Sequence, residues 1–555
     1  MKKQAKQIFW NAMLLTAGAL LVRTVGVSFQ VYISNRAGAE AMGLFSLMSG
    51  VYGFALTLAT SGIHLGVTHV VVDAMGRHQP ERILPAMRRA VLYALTLGGA
   101  ACFLLIGFAE PIGIYWLKDT RTVTSLRLFG ITLPLIALSS ALGGYFTAVR
   151  RAYKNATVQV FEQAVKIGTT MYLLAMLTDG GIEATCCALV LGGALAEFAS
   201  FLLELILYTI DRKIHFTRDR TGGDGRAEGK KLMKIAIPIA LTAYVRSGLI
   251  TLEHILIPEG LRNSGSSHSA ALAAYGSIQS MALPIILYPA ALISSFSGLL
   301  VPELAECKVQ DCHRRITYII SRVWSLSLLF SIGVAGILIC FSSEIGEALY
   351  PGTDTAVYIR MLAPLIPIMY VDTATDAMMK GLGEQVFSMN INIIDALISV
   401  VLVWILVPRY GIGGYLITVY FSEIFNTVLS ITHLLTVSKT PVRLFKWVYK
   451  PLLCIVGATC ITRALLLLCD LHVANAALSI VLHCLITLLF YVILLLLIGG
   501  IEREDLAWFG TLFARQADRD LPVDEGRPTN PDHGSQKQLS ELSAVKRRLK
   551  RGGKQ

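Results

Sequence analysis

The sequence has little charge for its length. Of its 555 residues, 15% are Asp, Glu, Lys or Arg, whereas 54% are hydrophobic, and the mean hydropathy is +0.61. A soluble domain of this size exposes much more charge, so the composition predicts a polytopic membrane protein. The net charge of +12 then reflects the distribution of loops across the membrane rather than an affinity for nucleic acid.

Cysteine is present but forms no pattern. Most of the ten cysteines lie in apolar stretches, where cysteine behaves as a small hydrophobic residue. Cys307, Cys312 and the adjacent His313 lack the second ligand pair of a zinc site. The sequence also lacks a phosphate-binding glycine loop, an HExxH motif and a nucleophile elbow. We therefore expect a protein that is not an enzyme, with no catalytic residues, no metal and no cofactor.

Long apolar stretches make up most of the chain. Hydropathy predicts about 14 membrane-spanning helices, each near the ~20 residues that a bilayer requires. Lys2, Lys3 and Lys6, together with the loops expected on the same side, hold most of the basic residues outside the tail. By the positive-inside rule this side is cytoplasmic. The sequence predicts an all-α, multi-pass protein of the cell membrane with both termini in the cytoplasm.

The two halves of the chain repeat. Arg127 matches Arg360, and Pro134 matches Pro367, at one shift of about 233 residues. Six spans per half is an even number, so the halves share one orientation and are related by an axis along the membrane normal. Two further helices follow the repeat. The predicted segments are residues 1–210 and 232–437 for the six-helix halves, 211–231 for a cytoplasmic linker, 438–500 for spans 13 and 14, and 501–555 for a basic, disordered tail.

An arginine lies in the opening span of each half. Arg23 falls near the middle of the first span, where a charge costs ~2.5–3.5 kcal/mol or more unless it faces protein or water. Arg246 has the corresponding position in the seventh span. A guanidinium binds phosphate oxygens in a bidentate way, so the pair predicts a pyrophosphate site in a cavity between the halves. The small and polar residues that recur with Arg23 at helical intervals are Thr16, Ala19, Gly26 and Gln30.

Other spans also contain ionisable residues. Glu253 shares a helix face with Arg246, and either neutralises it in the empty state or braces it permanently. Glu162 and Lys166 lie one turn apart in the fifth span, where a structural ion pair explains them as well as substrate binding does. Oxygen ligands in spans 10 and 11 suit Na⁺, or a carboxylate there takes up H⁺, and structural bracing of the helices is the alternative. These candidates for binding a coupling ion are Asp372, Asp376, Asn392 and Asp395.

Three stretches resemble one known family. They are GAEAMGLFSLM after Arg23, GYFTAVRRAYKNATVQVFEQAVKI at 144–167, and AAYGSIQSMALPIILYPAALISSFSGLLVPELAE at 273–306. Over roughly residues 5–500 the chain resembles the multidrug/oligosaccharidyl-lipid/polysaccharide exporter superfamily, in particular its polysaccharide biosynthesis and stage V sporulation protein B branch. The resemblance implies 12–14 helices and alternating-access movement of lipid-linked sugars. Lipid II flippases of this superfamily have a further arginine in the eighth span, where this chain has no cation.

The resemblance and the two arginines predict a flippase for a polyprenyl pyrophosphate-linked sugar precursor of cell wall, spore cortex or polysaccharide. The expected partners are this substrate, membrane lipids and enzymes of cell-envelope synthesis, with no nucleic acid. A cation-coupled multidrug antiporter of the same superfamily is the first alternative, and it requires an acidic, aromatic-lined cavity. A membrane glycosyltransferase or acyltransferase is the second, and it requires acids or histidine on an outer loop or a soluble domain.

Overall fold

The computed structural model describes residues 2–77, 79–177, 180–215, 225–441, 445–469 and 476–500. These ranges are helical and contain no strand, which confirms the predicted all-α class. The predicted tail lies outside them. The α-helices of eight or more residues are α1 (Lys2–Thr60), α2 (Ile63–Gly76), α3 (Ile83–Gly107), α4 (Val123–Ala148), α5 (Ala152–Leu177), α6 (Gly181–His215), α7 (Gly225–Asn263), α8 (His268–Gly276), α9 (Ala290–Val309), α10 (His313–Cys340), α11 (Ser342–Leu349), α12 (Thr355–Leu362), α13 (Ile366–Gly381), α14 (Gln385–Tyr410), α15 (Ile412–Ser438), α16 (Lys450–Cys469) and α17 (Ala476–Leu497).

Thirteen stretches in the described ranges are long and apolar enough to cross a membrane. Val22–Gly76 has 55 residues, more than twice the ~20 that one crossing needs, and it holds two predicted spans separated by the kink at Gly38. His268–Leu287 and Ala290–Val309 are consecutive and together form the predicted eighth span. The more polar α5 is not among the thirteen, although its 26 residues reach the length of a span. With these adjustments each predicted span has its helix.

The eighth span is broken in its middle. α8 is followed by a π-helical turn, Ser277–Ala282, and by a short helix, Leu283–Leu287, before α9 begins. Pro284 and Pro289 lie in this segment and lack N–H donors, so some carbonyl oxygens are left for partners on other helices. We call residues 277–289 the joint.

α1 and α2 join the two halves by packing along α7 and α8. A Cβ on Gly62 would lie 2.4 Å from the carbonyl oxygen of Ala236, and a Cβ on Gly43 would lie 1.9 Å from that of Leu272. Only glycine permits backbones to approach so closely. Because lipid supplies no hydrophobic driving force between helices, this close packing is a main source of their association.

The basic end of the bundle is the end at which α6 finishes and α7 begins. Both helices extend into the predicted linker, 211–231. Asp211 is buried there and accepts hydrogen bonds from Tyr145 at 2.8 Å and from Arg151 and Lys154. These contacts compensate its charge and let α6 continue beyond its apolar stretch. The predicted linker therefore includes the ends of both helices.

α16 and α17 pack against α10, beside the second half. The Tyr491 hydroxyl donates to the Leu329 carbonyl oxygen at 2.7 Å. Arg463 donates to the Cys340 carbonyl oxygen and lies 3.5 Å from Glu344. Arg463 is thus held against α10 and α11, as expected for helices outside the repeat.

Candidate functional site

Arg246 lies in the middle of α7 and reaches across to α14. Its Nη2 donates to Oδ1 of Asn392 at 3.3 Å, and Nδ2 of Asn392 donates to the Ser388 carbonyl oxygen at 2.8 Å. Within the described residues no carboxylate forms an ion pair with Arg246, although Asp372 and Asp395 lie within electrostatic range. A guanidinium held by a neutral amide keeps donors available for an anion.

Arg246 lines a cavity of about 500 Å³ between α1, α7, α13 and α14, which we call the α7–α14 cavity. This volume is in the usual range of small-molecule sites. Lys380 supplies a second cation, and Asp376 is the one carboxylate of the described lining. The polar lining residues are Thr57, Ser61, Thr242, Arg246, Ser247, Asp376, Lys380, Gln385, Ser388 and Asn392.

Asp376 is engaged within the cavity wall. Its Oδ1 accepts a hydrogen bond from Ser388 Oγ at 2.6 Å, which fixes the carboxylate against α14. Asp372, one turn away on α13, has a buried Oδ1 without a hydrogen-bond partner in the described residues. The two predicted ion-coupling carboxylates of this helix therefore have different environments, and only Asp376 lines the cavity.

Glu253 is not brought to Arg246. The two residues are separated by about 10 Å along α7, and no ion pair joins them in the described part of the chain. Asp395 of α14 is instead the charged group that acts on Glu253. The predicted neutralisation or bracing of Arg246 by Glu253 is therefore not present in this conformation, because two turns exceed the reach of the side chains.

A carboxylate cluster lies beyond the cavity between α7, α14 and α15. Oδ1 of Asp395 accepts a hydrogen bond from Ser422 Oγ at 2.7 Å, and Asp395 acts electrostatically on both Glu253 and Glu423. Asn426 Nδ2 lies 3.5 Å from Asn392 Oδ1, the same oxygen that accepts a hydrogen bond from Arg246. No three acidic, His or Cys side chains of the described residues are close enough together to hold a metal ion as they stand.

Arg23 contacts the joint rather than the α7–α14 cavity. Its Nη2 donates to the Leu287 carbonyl oxygen at 3.3 Å. Gln30, two turns further along α1, donates to the Ser280 carbonyl oxygen at 3.3 Å. The broken backbone of the eighth span thus provides acceptors for the predicted polar face of α1. Arg23 is not among the described residues that line the α7–α14 cavity, whereas Arg246 is. The pyrophosphate site shared by both arginines stays a prediction.

The first half has its own polar region. Glu162 and Lys166 of α5 interact electrostatically, and both act on Glu197 of α6. No ion pair between Glu162 and Lys166 occurs within the described ranges. The repeat shift of about 233 that matches Arg127 with Arg360 also matches Glu162 with Asp395, so each half carries an acid at this position.

The bundle is closed at the end opposite the basic end. Asp119, in the loop after α3, accepts a hydrogen bond from His268 Nε2 of α8 at 3.0 Å. Arg121 bridges Asp119 at 2.6 Å and Glu40 at 3.1 Å. Burial disfavours the Asp119 carboxylate, but hydrogen bonds from Arg121 and His268 outweigh it and lower the pKa of Asp119. A second ion pair between the halves joins Lys118 to Glu259.

An apolar core packs near the same end and combines buried residues of both halves. Burial of this apolar surface helps to hold the halves together there. Together the ionic and apolar layers leave the α7–α14 cavity on the side of the basic end. Its buried members are Phe29, Ile33, Met42, Leu174, Ala188, Leu189, Met281 and Tyr350.

Sequence reasoning missed most of the polar residues of the cavity, among them Lys380 and Ser388. Lys380 lies in the last turn of α13, one turn from Asp376, and both line the cavity. Ser388 gives no signal in the sequence, because hydroxyls are common in membrane helices. Only the approach of α14 to α13 shows that it holds Asp376.

Comparisons with known proteins point in one direction. A family model described as MatE matches residues 264–405. Stage V sporulation protein B of Bacillus subtilis (strain 168) is 27% identical over 444 residues, which are 78% of this chain and 84% of that protein. Lipid II flippase MurJ of the same organism is 21% identical over 426 residues, 72% of this chain and 77% of that protein.

Solved structures show the same fold. A structure titled as lipid II flippase MurJ in an inward closed conformation has a TM-score of 0.63 at 15% identity and covers 87% of this chain and 98% of its own. An inward-facing multidrug resistance transporter of the MATE family has a TM-score of 0.55 at 15% identity and covers 76% of this chain and 96% of its own.

Proposed function

Because the chain belongs to the multidrug/oligosaccharidyl-lipid/polysaccharide exporter superfamily, we propose that it is an alternating-access flippase for a polyprenyl pyrophosphate-linked sugar precursor. The precursor serves cell-wall, spore-cortex or polysaccharide synthesis. The similarity to proteins named stage V sporulation protein B and lipid II flippase MurJ supports this substrate class.

The observation that carries the proposal is that Arg246 has a neutral hydrogen-bond partner and no ion pair with a carboxylate of the described residues. Its contact in the α7–α14 cavity is the neutral Asn392, and Lys380 adds a second cation to the lining. A dianionic pyrophosphate matches two cations, and a sugar matches the surrounding hydroxyl and amide groups. In a cavity shielded from bulk water these contacts strengthen, because the local dielectric constant falls.

Arg23 has a separate role in this proposal. It lies against the joint, where the Leu287 carbonyl is a weak competitor for an anion. We assign Arg23, with Gln30 beside it, to contacts that the headgroup makes during passage between the halves. Glu253, Glu162 and Lys166 then act on the electrostatics of the path rather than at the α7–α14 cavity.

The closed end defines the direction of access. If the basic end is cytoplasmic, as the positive-inside rule predicts, this conformation receives substrate from the cytoplasm. Moving a headgroup of charge about −2 outward from a negative interior releases ~4.6 kcal/mol per 100 mV when the charge is uncompensated. Return of the emptied, arginine-bearing cavity is the step that calls for a cation, Na⁺ or H⁺, at Asp372, Asp376, Asn392 or Asp395.

A cation-coupled multidrug antiporter is the second candidate. The carboxylate cluster around Asp395 favours it, since cationic drugs need acidic partners. The α7–α14 cavity opposes it, because that lining carries two cations and one engaged carboxylate. A glycosyltransferase or acyltransferase gains no support from the fold, which matches transporters.

Binding to purified protein separates these candidates. Wild type should bind a polyprenyl pyrophosphate and should not bind a lipophilic cation such as ethidium. Arg246→Ala should lose the first interaction, whereas Arg262→Ala, on the same helix but paired with Glu259 at 3.6 Å, should keep it. Tight binding of the cation with no binding of the pyrophosphate would refute the flippase and favour the antiporter.

A further inference from the structure

Glu204 of α6 is a buried acid outside the α7–α14 cavity. It is 4% exposed, and no lysine, arginine or histidine nitrogen of the described residues lies within 4.0 Å of its carboxylate. Burial of an ionised carboxylate without a cation is strongly unfavourable, whereas the neutral acid needs only a hydrogen-bond acceptor. The position of Glu204 thus favours the protonated form.

A neighbouring hydroxyl is compatible with either protonation state. Ser139 of α4 faces Glu204, and its Oγ is buried. A hydroxyl can donate to an ionised carboxylate or accept from a protonated acid, so Ser139 can serve Glu204 before and after it binds a proton.

His64 of α2 converges on the same space. A Cβ on Gly143 would lie 3.4 Å from Glu204 Oε1 and 3.6 Å from His64 Nδ1. Because Gly143 is a glycine, a gap remains between the Glu204 carboxyl group and the His64 imidazole. An imidazole accepts a proton at one ring nitrogen while it donates from the other.

Polar groups continue from His64 towards the basic end. Nε2 of His64 lies 3.3 Å from Thr147 Oγ1. Asn155, at the start of α5, donates to Thr147 Oγ1 at 3.2 Å and to the Gly143 carbonyl oxygen at 3.1 Å. These contacts form a series from the basic end to His64, and the gap beside Gly143 separates His64 from Glu204.

The other titratable groups around Glu204 come from three helices. Glu162 and Glu197 act on Glu204 directly, and Lys166 acts on these two acids. Tyr52 of α1 faces the same acids and contacts Thr132 at 2.9 Å. Like charges from Glu162 and Glu197 repel a negative Glu204, so binding a proton there relieves the repulsion.

We propose that Glu204 is a proton-binding site of the first half, reached from the basic end through Asn155, Thr147 and His64. The step is the binding of one H⁺ by the carboxylate to give the neutral acid, and release of that H⁺ restores the carboxylate. Its use in coupling rests on the proposed flippase function, whereas the protonation itself does not. The coupling ion assigned to this site is H⁺.

Infrared spectroscopy of purified protein in nanodiscs, without substrate, tests the protonation. Wild type should show the carbonyl band of a protonated carboxylic acid at neutral pH, and Glu204→Gln should lose the part due to Glu204. Glu183→Gln is the matched control, since Glu183 is on the same helix, is exposed and accepts a hydrogen bond from Thr124 at 3.1 Å. Identical bands in wild type and Glu204→Gln would overturn the proposal.

Further variants keep the test decisive if Glu204→Gln does not fold. Glu204→Asp should shift the same band rather than remove it, and an unshifted band would exclude Glu204 as its source. His64→Gln should keep the band but slow its response to a pH jump by at least tenfold. An unchanged rate would overturn the route through His64.

A transport measurement separates this proposal from the flippase function. In proteoliposomes, flipping of a fluorescent polyprenyl pyrophosphate should respond to a pH gradient in wild type and Glu183→Gln but not in Glu204→Gln. If wild type does not flip the probe, the flippase function fails while the infrared assignment stands. If Glu204→Gln flips it with a wild-type response to the gradient, the coupling role of Glu204 fails.

Discussion

Gly43 of α1 and Gly276 of α8 meet backbone to backbone across the interface between the halves. A Cβ on Gly276 would lie 2.5 Å from the Gly43 nitrogen and 2.3 Å from the Ala39 carbonyl oxygen. No side chain fits there, so the close approach of the two helices requires glycine at both positions. The pair therefore contributes to the packing between the halves in this conformation.

Alanine at either glycine should open the closed end. We expect Gly43→Ala to cost at least the ~1–3 kcal/mol of an overpacked core, because the obstructing atoms belong to backbone. The affected state is the closed one, so a cysteine placed at position 40 should become more reactive to an impermeant maleimide. Gly53→Ala, on the same helix with open space around it, is the control. Equal reactivity in both variants would contradict this account.

Arg246→Ala should reduce affinity for a lipid pyrophosphate by roughly 30- to 1,000-fold, which corresponds to ~2–4 kcal/mol for one charge-assisted bidentate contact. Arg246→Lys should recover only part of it, because an ammonium keeps the charge but loses the planar fork. Binding isotherms on purified variants measure both effects. An affinity for Arg246→Ala within threefold of wild type would remove Arg246 from the site.

Asp119 should make the closed end sensitive to acid. Its pKa is lowered in the folded protein from an unfolded value of about 3.9. The stability that its ionised form contributes is complete above the unfolded pKa and is lost as the pH falls through the folded pKa. Asp119→Asn should therefore lower the Tm at pH 7, and the difference from wild type should shrink below about pH 4. A difference in Tm that is constant from pH 7 to pH 3 would be inconsistent with this role.

Asp395→Asn should separate ion coupling from substrate binding. Asp395 lies beyond the α7–α14 cavity and is held by Ser422, so the variant should bind a lipid pyrophosphate with unchanged affinity. Its flipping should no longer respond to an imposed Na⁺ gradient if this cluster binds Na⁺. Asp376→Asn, inside the cavity, should instead alter binding. A wild-type gradient response in Asp395→Asn would exclude a sodium site at Asp395.

The helices could be predicted from the sequence because each predicted span is apolar over a length sufficient to cross the membrane. Tertiary contacts decided the exceptions. Asp211 continues α6 past its apolar stretch because Arg151 and Lys154 reach it, and neither is close to it in the sequence. Glu253 lies on the predicted face of α7, but the charged residue that acts on it is Asp395, 142 positions later in the sequence.

The sequence identified which types of residue form the candidate site, but it did not show how they are arranged. A mid-span arginine is informative by itself, since its cost demands a polar surrounding. The groups that surround it depend on how distant helices cross, and the sequence near the arginine does not show this. Arg23 found a carbonyl of the joint and Arg246 an amide of α14, so two similar residues have different partners.

The contact between Arg23 and the joint should affect how fast the joint opens locally. Residues 277–289 contain a π-helical turn and two prolines, so their backbone is held by fewer internal hydrogen bonds than a regular helix. Arg23 donates to one of their carbonyls, and an anion that draws the guanidinium away from the joint removes that contact. Occupancy at Arg23 would then speed local opening of the joint. Amide deuterium exchange of residues 277–289 should therefore be faster when a lipid pyrophosphate is present. An unchanged exchange rate would show that Arg23 does not stabilise the joint.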